Sequence, residues 1–425
     1  MSTAFYPPSW YAATLNEAVL QSALDGEVRA HVCVIGAGYT GLSAAIALAE
    51  RGYSVIVLEA KRVGWGASGR NGGQMIHGIT GLDRMKKHWG RETVATLDNM
   101  AFEGNRIIRQ RVQKYNIECD LKMGWLEAAI KPRHMVSLEA EAKHFAATGK
   151  VSNFQLLDQA QMQDMLGTKR YIGGLLNKDD GHLHPLKLAR GEAKAAMSLG
   201  VRIFEGSPVL SLEAGEPAII RTPGGKVTAD HVIIAANINH SLAPKSAAGF
   251  AFPAGSFIMA TEPLSAAFTA RVNADNFAVC DAANVIDYFR YSNDGRLIFG
   301  GRCNYSGRKP ASIKAALLPR LGKIWPELAD VKIDYQWGGT LGVSLSETPL
   351  FGLEGANVWR AGAYSGHGVN VAHLAGVILA EAIAGKVERF DLFAKMPTRR
   401  LRMGNIVGRE LVALYIFWLR LKDSL

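Results

Sequence analysis

The chain has 425 residues, of which 48% are hydrophobic and 20% are charged, and this balance excludes a disordered or fibrous protein. The formal net charge is +10, which raises the question of a nucleic-acid or membrane-surface partner. The N-terminal residues lack the order of a signal peptide, and the longest candidate membrane span, Leu411–Leu419, is much shorter than the ~20 residues required. We therefore predict a cytoplasmic protein, with a peripheral position on the inner face of the cell membrane as the alternative.

The cysteines and histidines form no metal-binding pattern. Four cysteines are scattered along the chain without a CxxC pair: Cys33, Cys119, Cys280 and Cys303. This spacing predicts neither a disulfide framework nor a zinc site. His182 and His184 stand close together but lack further ligands at a suitable spacing, so we predict a role in a turn and no metal site.

A strand, a glycine-rich turn, a helix and a second strand follow one another near the start of the chain. Residues 31–35 and 54–58 predict short buried strands, and residues 42–51 predict a helix between them. The segment 36–41, GAGYTG, has glycines where a tight turn, a close pyrophosphate and helix packing require them. Glu59 ends the second strand, where a carboxylate can accept hydrogen bonds from ribose hydroxyls. The unit predicts dinucleotide binding.

A second glycine-rich loop, over residues 64–74, follows directly after Glu59. Its glycines indicate a backbone that approaches another group closely. The loop is longer than an ordinary NAD-binding domain needs, and it could wrap the flavin end of an extended FAD. We therefore predict FAD in preference to NAD.

Further along the chain, helical and strand patterns alternate. Helical patterns dominate residues 82–114 and 135–147. The remaining predicted helices cover residues 186–199, 313–325 and 369–384, and the remaining predicted strands cover residues 201–205, 209–213, 231–236, 256–261, 288–291, 297–301 and 358–361.

Nucleotide-binding elements occur at the start, in the middle and at the end of this order. We therefore predict an α/β protein in which one domain is interrupted twice by another. The predicted FAD-binding domain covers residues 28–80, 179–245 and 335–396, the predicted substrate domain covers residues 81–178 and 246–334, and a predicted basic amphipathic helix covers residues 397–425.

The run Val34–Gln74 resembles the N-terminal part of the D-amino acid oxidase superfamily of FAD-dependent amine oxidoreductases. The resemblance is greatest to the bacterial branch that contains gamma-glutamylputrescine oxidase. It extends over nearly the whole chain, through residues 181–185, 232–237, 288–290, 295–302 and 362–369. It implies a Rossmann-like FAD-binding domain of the glutathione-reductase type, interleaved with an α+β substrate domain built on an antiparallel sheet.

The resemblance also implies which residues bind FAD. The expected cofactor-binding residues are Gly36, Gly38, Tyr39, Thr40, Gly41, Glu59, Ala60, Arg62, Gly66, Ala67, Ser68, Arg70, Asn71, Gly72, Gly73, Gln74, Val209, Ala236, Asn237, Gly338, Gly366, Gly368 and Val369. In this family the segment that matches residues 365–369 donates backbone N–H groups to the flavin pyrimidine, where negative charge develops on reduction. The second glycine loop and residues 338–347 contain neither Cys nor His, so we predict non-covalent FAD.

The resemblance places the substrate-binding candidates Tyr288, Arg290 and Arg302 on strands whose alternate side chains could face the flavin. An arginine there could hold a carboxylate bidentately, and a surface or interdomain ion pair is the alternative. His77 follows the second glycine loop and is a fourth candidate for contact with the substrate.

Three further residues are candidates for a catalytic role. Trp337 and Tyr364 could wall an apolar amine pocket, although buried aromatic side chains more often belong to a hydrophobic core. His367 stands within the flavin-binding segment and could steer flavin reduction, or it could be a loop histidine bonded to the backbone.

These residues predict an FAD-dependent oxidoreductase that acts on CH–NH bonds. Direct hydride transfer from a neutral amine needs no strong general base, so the absence of an evident acid–base pair does not oppose this. The resemblance favours a gamma-glutamylputrescine-like substrate, and the alternative is a cyclic or N-alkyl amino acid such as pipecolate, proline or sarcosine. The electron acceptor is oxygen or a quinone.

The C-terminal tail explains half of the net charge. Residues 395–425 contain seven basic and two acidic side chains. On a helix, one face would carry Arg402, Asn405, Arg409, Ala413 and Arg420. Such a helix suits an anionic lipid surface, or it docks on its own domain or a partner subunit. The charge outside the tail is unexceptional and no nucleic-acid-binding fold is evident, so we predict no nucleic-acid partner.

Overall fold

The computed structural model describes most of the chain. The described residues are 6–15, 21–147, 153–238, 249–283, 285–304, 310–398 and 400, without the side chains of residues 302–304. The predicted C-terminal helix lies outside the described residues, apart from residues 397, 398 and 400.

Two β-sheets organise the described chain, and their strands are numbered here in chain order. The first sheet contains β1 (Gly26–Ile35), β2 (Val55–Leu58), β7 (Arg202–Phe204), β8 (Ser211–Glu213), β9 (Ala218–Thr222), β10 (Gly225–Ile234), β16 (Leu350–Glu354) and β17 (Val358–Gly362). Its central order β17-β10-β1-β2-β7 is parallel throughout, β16 pairs with β17 antiparallel, and β8 and β9 extend from β10.

The second sheet has nine strands. They are β3 (Gln74–Met75), β4 (Lys122–Ala129), β5 (Phe154–Asp158), β6 (Gly173–His182), β11 (Ala251–Pro263), β12 (Ala278–Asp281), β13 (Asp287–Tyr291), β14 (Arg296–Asn304) and β15 (Ile333–Ser344). The order is β15-β11-β14-β13-β12-β4-β6-β3, with β5 on β6. Every pair is antiparallel except β12 and β4, which run parallel.

The helices of the described chain cover both sheets. They are α1 (Trp10–Ala13), α2 (Tyr39–Ala49), α3 (Leu82–Trp89), α4 (Arg91–Lys114), α5 (Pro132–Ala147), α6 (Gln159–Leu166), α7 (Pro185–Ser198), α8 (Ala266–Arg271), α9 (Ile313–Ile324), α10 (Gly368–Ile383) and α11 (Glu388–Ala394). The mixed α/β fold class predicted from the sequence is confirmed by these elements.

The alternation of side chains along β1 explains why the first sheet is buried on both faces. Val32 and Val34 join the helix-covered core, while Cys33 and Ile35 join the core under β8 and β9. Successive strand residues point to opposite faces, so a run of apolar residues fits a sheet with two covered faces.

Helices α2 and α10 pack closely on the first sheet. A Cβ at Gly376 of α10 would lie 2.5 Å from the Cβ of Ser43 in α2. Ser43 Oγ also donates to the carbonyl oxygen of His373 at 2.6 Å. This close approach brings the N-termini of two helices toward the same end of the sheet.

The structure divides the predicted helical stretch 82–114 into α3 and α4. Gly90 adopts a φ of 78° between them, a left-handed conformation that ends the first helix. β15 and β3 lie in segments that the sequence assigns to the FAD-binding domain, yet both strands belong to the second sheet. The domain limits themselves stay a prediction.

Within the described ranges, no single helix is both long and apolar enough to cross a membrane. Only α10 and α11 taken together reach the required length and composition, and the chain bends by 120° between them.

Candidate active site

A cavity of about 580 Å³, called here the first cavity, lies at the carboxyl ends of β1, β2 and β10. Gly36 turns the chain there with a φ of 109°, and a Cβ at this position would lie 2.9 Å from the carbonyl oxygen of Ala235. A Cβ at Gly41 would overlap the carbonyl oxygen of Gly36. Both positions therefore require glycine for the strand, turn and helix to fit together.

The N-terminus of α2 borders the first cavity. Its N-cap residue, Gly38, has no side chain to cap the helix, and Ser68 Oγ accepts a hydrogen bond from the backbone N–H of Tyr39 at 3.0 Å. A helix N-terminus with a close backbone approach favours the phosphates of a dinucleotide.

Glu59 is fixed by the backbone at the end of β2. Its Oε2 accepts a hydrogen bond from the N–H of Ala37 at 2.9 Å, and its Oε1 accepts one from the N–H of Lys61 at 2.8 Å. Burial raises the pKa of Glu59, and the two N–H groups oppose that rise. The carboxylate is thus held beside the first cavity, where it could accept hydrogen bonds from a ribose.

The segment after β17 closes the first cavity from the opposite side. The hydroxyls of Tyr364 and Thr40 lie 2.7 Å apart, which ties this segment to α2. Ser365 and Gly366 have positive φ values of 49° and 107°, and α10 begins at Gly368. Because α2 and α10 both begin at the first cavity, its ends suit the phosphates of FAD and the pyrimidine ring, which becomes negatively charged on reduction.

A second cavity of about 400 Å³, called the inner cavity, adjoins the first. The two cavities share the residues Ala67, Asn71, Leu341, Ser365, Gly366 and Val369. The inner cavity also has apolar walls that include Ile76, Trp125 and Tyr288. A flavin held against the shared residues would therefore face the inner cavity.

A third, more open cavity of about 1190 Å³, called the outer cavity, continues from the inner one. The inner and outer cavities share Ile76, Trp125, Glu127 and His367. Charged side chains of α3 and α5 surround it, among them Arg84, Lys86, Lys87 and Glu141. This arrangement gives the inner cavity a route to solvent.

His77 lies beside the outer cavity in a buried ionic cluster. Its Nδ1 is 2.5 Å from Asp180, its Nε2 is 3.0 Å from Glu141, and its ring stacks on Phe102. Burial alone would lower the pKa of His77, but the two carboxylates raise it to about 10. His77 is therefore a charged imidazolium at neutral pH.

His367 separates the inner and outer cavities. Among the described residues its Nδ1 has no hydrogen-bond partner although the atom is buried. Burial and the neighbouring charge of His77 lower the pKa of His367 to about 4. The imidazole is therefore neutral at pH 7, and its catalytic role stays a prediction.

The structure gathers most of the predicted site residues around the first two cavities. The first cavity is lined by Gly36, Gly38, Tyr39, Thr40, Glu59, Ala60, Gly66, Ala67, Ser68, Asn71, Val209, Ala236, Asn237, Tyr364, Gly366, Gly368 and Val369. The inner cavity is lined in addition by Arg70, Gly72, Gln74, Tyr288 and His367.

Other predicted residues lie behind these walls. In the described structure, the cofactor candidates that line neither cavity are Gly41, Arg62, Gly73 and Gly338. Gly41 packs inside the turn, and Arg62 forms an ion pair with Glu205 at 2.9 Å. Gly73 lies against the backbone of Leu183. The Arg302 side chain lies outside the described residues.

The sequence analysis made Arg290 a candidate for substrate binding, with an ion pair as the alternative, and the structure directs its guanidinium to other partners. Its Nε donates to the carbonyl oxygen of Gly72 at 2.8 Å, and its Nη2 donates to the Tyr11 hydroxyl at 3.1 Å. The side chain is only 3% exposed and lines neither cavity of the described chain. Arg290 supports the second glycine loop from behind, and Gly73 leaves room for it because a Cβ there would lie 2.7 Å from Nη2 of Arg290.

Trp337 likewise lies away from both cavities. It packs in a small core with Tyr11 and Ile258, and its Nε1 donates to the carbonyl oxygen of Arg70 at 3.1 Å. This contact matches the alternative that the sequence left open, a buried core aromatic. His184 serves as the N-cap of α7, as expected for a turn residue, with its Nδ1 accepting from the N–H of Lys187.

The sequence analysis missed three polar residues that line the inner cavity. Glu127 on β4 and Asp281 at the end of β12 both line it, as does Asn370 of α10. The register of β4 and β12 pairs Glu127 with Cys280 and Asp281 with Ala128, so the two carboxylates lie on opposite faces of the sheet. No local motif marks them, although a carboxylate within a short apolar run is a signal that could have been used.

The chain is similar to known proteins over most of its length. Residues 31–382 match the family described as FAD dependent oxidoreductase, abbreviated DAO. Gamma-glutamylputrescine oxidoreductase of Escherichia coli (strain K12) is 38% identical over 98% of this chain and 98% of its own length. A probable oxidoreductase of Haemophilus influenzae, OrdL, is 40% identical over 94% of this chain and 93% of its own length.

Solved structures show the same fold at low identity. Glycine oxidase from Geobacillus kaustophilus superposes with a TM-score of 0.71 at 19% identity, over 87% of this chain and 99% of that one. L-proline dehydrogenase from P. horikoshii gives a TM-score of 0.71 at 19% identity, over 87% and 98%. With the glycine turn, the fixed carboxylate and the two helix N-termini, these matches show that the chain belongs to the DAO family of FAD-dependent oxidoreductases.

Proposed function

We propose that this protein oxidises a CH–NH bond in the aminoalkyl part of a gamma-glutamylputrescine-like substrate. The observation that carries the proposal is the shared wall of the first and inner cavities, at Ser365, Gly366 and Val369. A substrate in the inner cavity would contact a cofactor in the first cavity there. The similarity to gamma-glutamylputrescine oxidoreductase across nearly the whole chain supports this choice of substrate.

The residues around the inner cavity position the substrate. Trp125 and Tyr288 provide apolar surface that excludes water and aligns the carbon–hydrogen bond. FAD, when bound, supplies the hydride acceptor. Backbone N–H groups at the start of α10 stabilise the negative charge that develops on the acceptor. The substrate loses a hydride from carbon and a proton from nitrogen, and water hydrolyses the resulting imine to an aldehyde.

A second candidate function is oxidation of a cyclic or N-alkyl amino acid. Arg70 lines the inner cavity and is the specific observation in its favour, since a guanidinium can hold a carboxylate. Its hydrogen bonds to the carbonyl oxygens of Gly66 at 3.2 Å and Gly338 at 3.5 Å oppose this use.

Anaerobic reduction of the holoenzyme separates the two candidates. We expect gamma-glutamylputrescine and related amines to bleach the flavin at lower concentrations than pipecolate, proline or sarcosine. Bleaching by the imino acids alone would favour the second candidate, and bleaching by none of them would reject both. Admission of air with measurement of peroxide then distinguishes an oxidase from an enzyme that passes electrons to a quinone.

We further propose that FAD is bound without a covalent link. The only cysteines and histidines along the first and inner cavities of the described chain are Cys280 and His367, and the Cys280 thiol is buried with a raised pKa. Acid precipitation should release yellow flavin into the supernatant. Flavin that stays with the protein pellet would contradict this.

A further inference from the structure

Glu127 is a carboxylate in an apolar row of side chains along the inner cavity. On β4 it follows Trp125 by two residues, so both side chains lie on the same face of the second sheet. The strand register pairs Glu127 with Cys280 of β12, and Cys280 with Tyr288 of β13. Trp125, Cys280 and Tyr288 line the inner cavity and pack in one small hydrophobic cluster. Glu127 is therefore the charged member of this row.

The position of Glu127 lies between the flavin side of the molecule and solvent. Glu127 and His367 both line the inner and the outer cavity. The neighbours of His367 in the chain, Gly366 and Gly368, line the first cavity. A group bound at the border between the inner and outer cavities therefore lies beside the segment that would hold the flavin, and it can exchange protons with water in the outer cavity.

The Glu127 carboxylate has no partner within the described chain, where it forms neither a hydrogen bond nor an ion pair. Arg70 is the only lysine or arginine along the inner cavity of the described structure, and it donates to the carbonyl oxygens of Gly66 and Gly338. A carboxylate in apolar surroundings costs free energy unless it meets a cation or takes up a proton. Glu127 is thus available to an amine.

The charged groups around Glu127 suit the uptake of a proton. Burial, Glu141 of α5 and Asp281 raise the pKa of Glu127 to about 7, and the charge of His77 opposes this rise. His77 is itself bonded to two carboxylates, those of Asp180 and Glu141, so its positive charge is already balanced. A group with a pKa near the working pH can both accept and release a proton.

Asp281 also lines the inner cavity, but its carboxylate is held elsewhere. The register pairs Asp281 with Ala128, so its side chain lies on the opposite face of the sheet from Glu127. Its Oδ1 accepts hydrogen bonds from two backbone N–H groups, its Oδ2 is buried, and the charge of Arg170 acts on it. Glu127 is therefore the carboxylate that an amine in the inner cavity can reach.

An alkylamine reaches the enzyme almost entirely as an ammonium ion. With a pKa like that of lysine, ~10.4, roughly one molecule in 2,500 is neutral at pH 7. A hydride leaves the neighbouring carbon only when the nitrogen has a free electron pair. The proposed function therefore requires a group that removes the proton from nitrogen.

We propose that Glu127 is the general base that deprotonates the substrate ammonium group. One N–H bond breaks, its electron pair stays on nitrogen, and an O–H bond forms on the Glu127 carboxylate. The apolar walls favour this transfer, because a neutral amine and a neutral acid cost less there than two charges. The proton then passes to water in the outer cavity. This inference rests on the proposed function, which supplies the amine.

The pH dependence of anaerobic flavin reduction by gamma-glutamylputrescine tests the proposal. In the wild type, the second-order rate of reduction should be level above about pH 7 and fall ~10-fold per unit below it, as Glu127 becomes protonated. E127Q can use only the neutral amine, so we expect a ~100-fold lower rate at pH 7. This gap should close by up to ~10-fold for each unit above pH 7. A gap of the same size at every pH, or a wild type without a break near pH 7, would overturn the proposal.

A less basic amine should rescue the variant. The fluorines of 2,2-difluorobutylamine lower the pKa of its amine, so much more of it is neutral at pH 7 than of butylamine. We expect E127Q to be at least ~10-fold slower than the wild type with butylamine, but within about three-fold of it with 2,2-difluorobutylamine. An equal disadvantage with both amines would indicate a merely structural role for Glu127 and would overturn the proposal.

A matched control removes a carboxylate from the outer cavity alone. Glu347 lines the outer cavity but not the inner one in the described chain, so E347Q should keep the wild-type pH profile. The same change in E347Q as in E127Q would overturn the proposal. If amines bleach the wild type and E127Q with one pH profile, the role of Glu127 fails and the proposed function stands. If no amine bleaches the wild type, both fail.

Discussion

The first cavity and the inner cavity share a wall, yet their lining residues differ in how far apart they lie in the sequence. The first depends on a contiguous unit, from the turn at Gly36 to the carboxylate of Glu59, and is closed by α10. The inner cavity combines β4, β12 and β13 with the second glycine loop. The comparison teaches that a local motif supplies one side of the first cavity, whereas long-range strand pairing builds most of the inner cavity.

A substitution in the core beneath the first cavity should distinguish the two regions most strongly. Glu192 of α7 is fully buried and pairs with Arg111 at 3.2 Å and His373 at 3.1 Å. E192Q leaves the Arg111 guanidinium without its counter-charge, so we expect the free energy of unfolding to fall by ~3–5 kcal/mol. Thermal unfolding of the FAD-loaded protein measures the change.

The control for this variant is an exposed ion pair. Glu213 and Arg221 lie 3.1 Å apart on the surface, with side chains 56% and 49% exposed. E213Q should change the free energy of unfolding by less than ~0.5 kcal/mol. If E192Q were as mild as E213Q, the buried pair would not stabilise the cofactor region.

A substitution in the glycine turn tests the local character of the first cavity. A Cβ at Gly41 would overlap the Gly36 carbonyl oxygen, so G41A must displace the turn. We expect the free energy of unfolding to fall by ~1–3 kcal/mol and FAD affinity to fall ~10–100-fold. Flavin retained after gel filtration measures the loss of affinity. Gly215 has only an ordinary contact at 3.4 Å, and G215A should retain FAD fully. Normal FAD retention by G41A would contradict the assignment of the motif.

Amine binding in the inner cavity should depend on pH, whereas FAD binding in the first cavity should not. Burial and the charge of Glu141 raise the pKa of Glu127 to about 7, and burial and Asp287 raise the pKa of Asp281 to about 7. His77 opposes the first rise and Arg170 opposes the second.

Both carboxyl groups are therefore neutral in acid and become charged as the pH rises through about 7. The affinity of an amine for the inner cavity should therefore fall up to ~10-fold for each pH unit below this point, because the Glu127 carboxyl group loses its charge, while FAD affinity changes little. Anaerobic flavin reduction by gamma-glutamylputrescine in the wild type and in E127Q, between about pH 5.5 and 8.5, checks the sign. A pH dependence that is unchanged in E127Q would contradict this assignment.

The smallest expected effect concerns the link that closes the first cavity. Y364F removes the hydrogen bond between Tyr364 and Thr40, which is 2.7 Å long. We expect the free energy of FAD binding to become ~1 kcal/mol less favourable, which corresponds to about five-fold weaker binding. T40V should have the same effect, and the double variant should add little, since both remove one interaction. Fully additive losses would show that the two hydroxyls act separately.

The sequence was most informative where local chemistry dictates local structure. The turn at Gly36, the strand before it and the carboxylate of Glu59 could be predicted because each depends on neighbours within a short stretch. The DAO family followed from the resemblance carried by residues 34–74 and 362–369, and both the family and the α/β fold are confirmed. The break at Gly90 was missed because both sides of it continue the helical pattern.

The substrate side could not be predicted in the same way. Arg290 stands on a strand whose side chains alternate, but only the packing of the second glycine loop decides that its guanidinium meets Gly72. Glu127 reaches the inner cavity beside Cys280 through a parallel pairing between strands far apart in the chain. Such contacts depend on tertiary structure, which no local pattern records.

The central claim is that an amine in the inner cavity reduces FAD held in the first. It is tested most directly by mixing the holoenzyme with gamma-glutamylputrescine without oxygen, while flavin bleaching and aldehyde formation are measured together. The account predicts full bleaching with one aldehyde formed for each flavin reduced. A flavin that stays oxidised with gamma-glutamylputrescine, yet is bleached by proline or sarcosine, would contradict it.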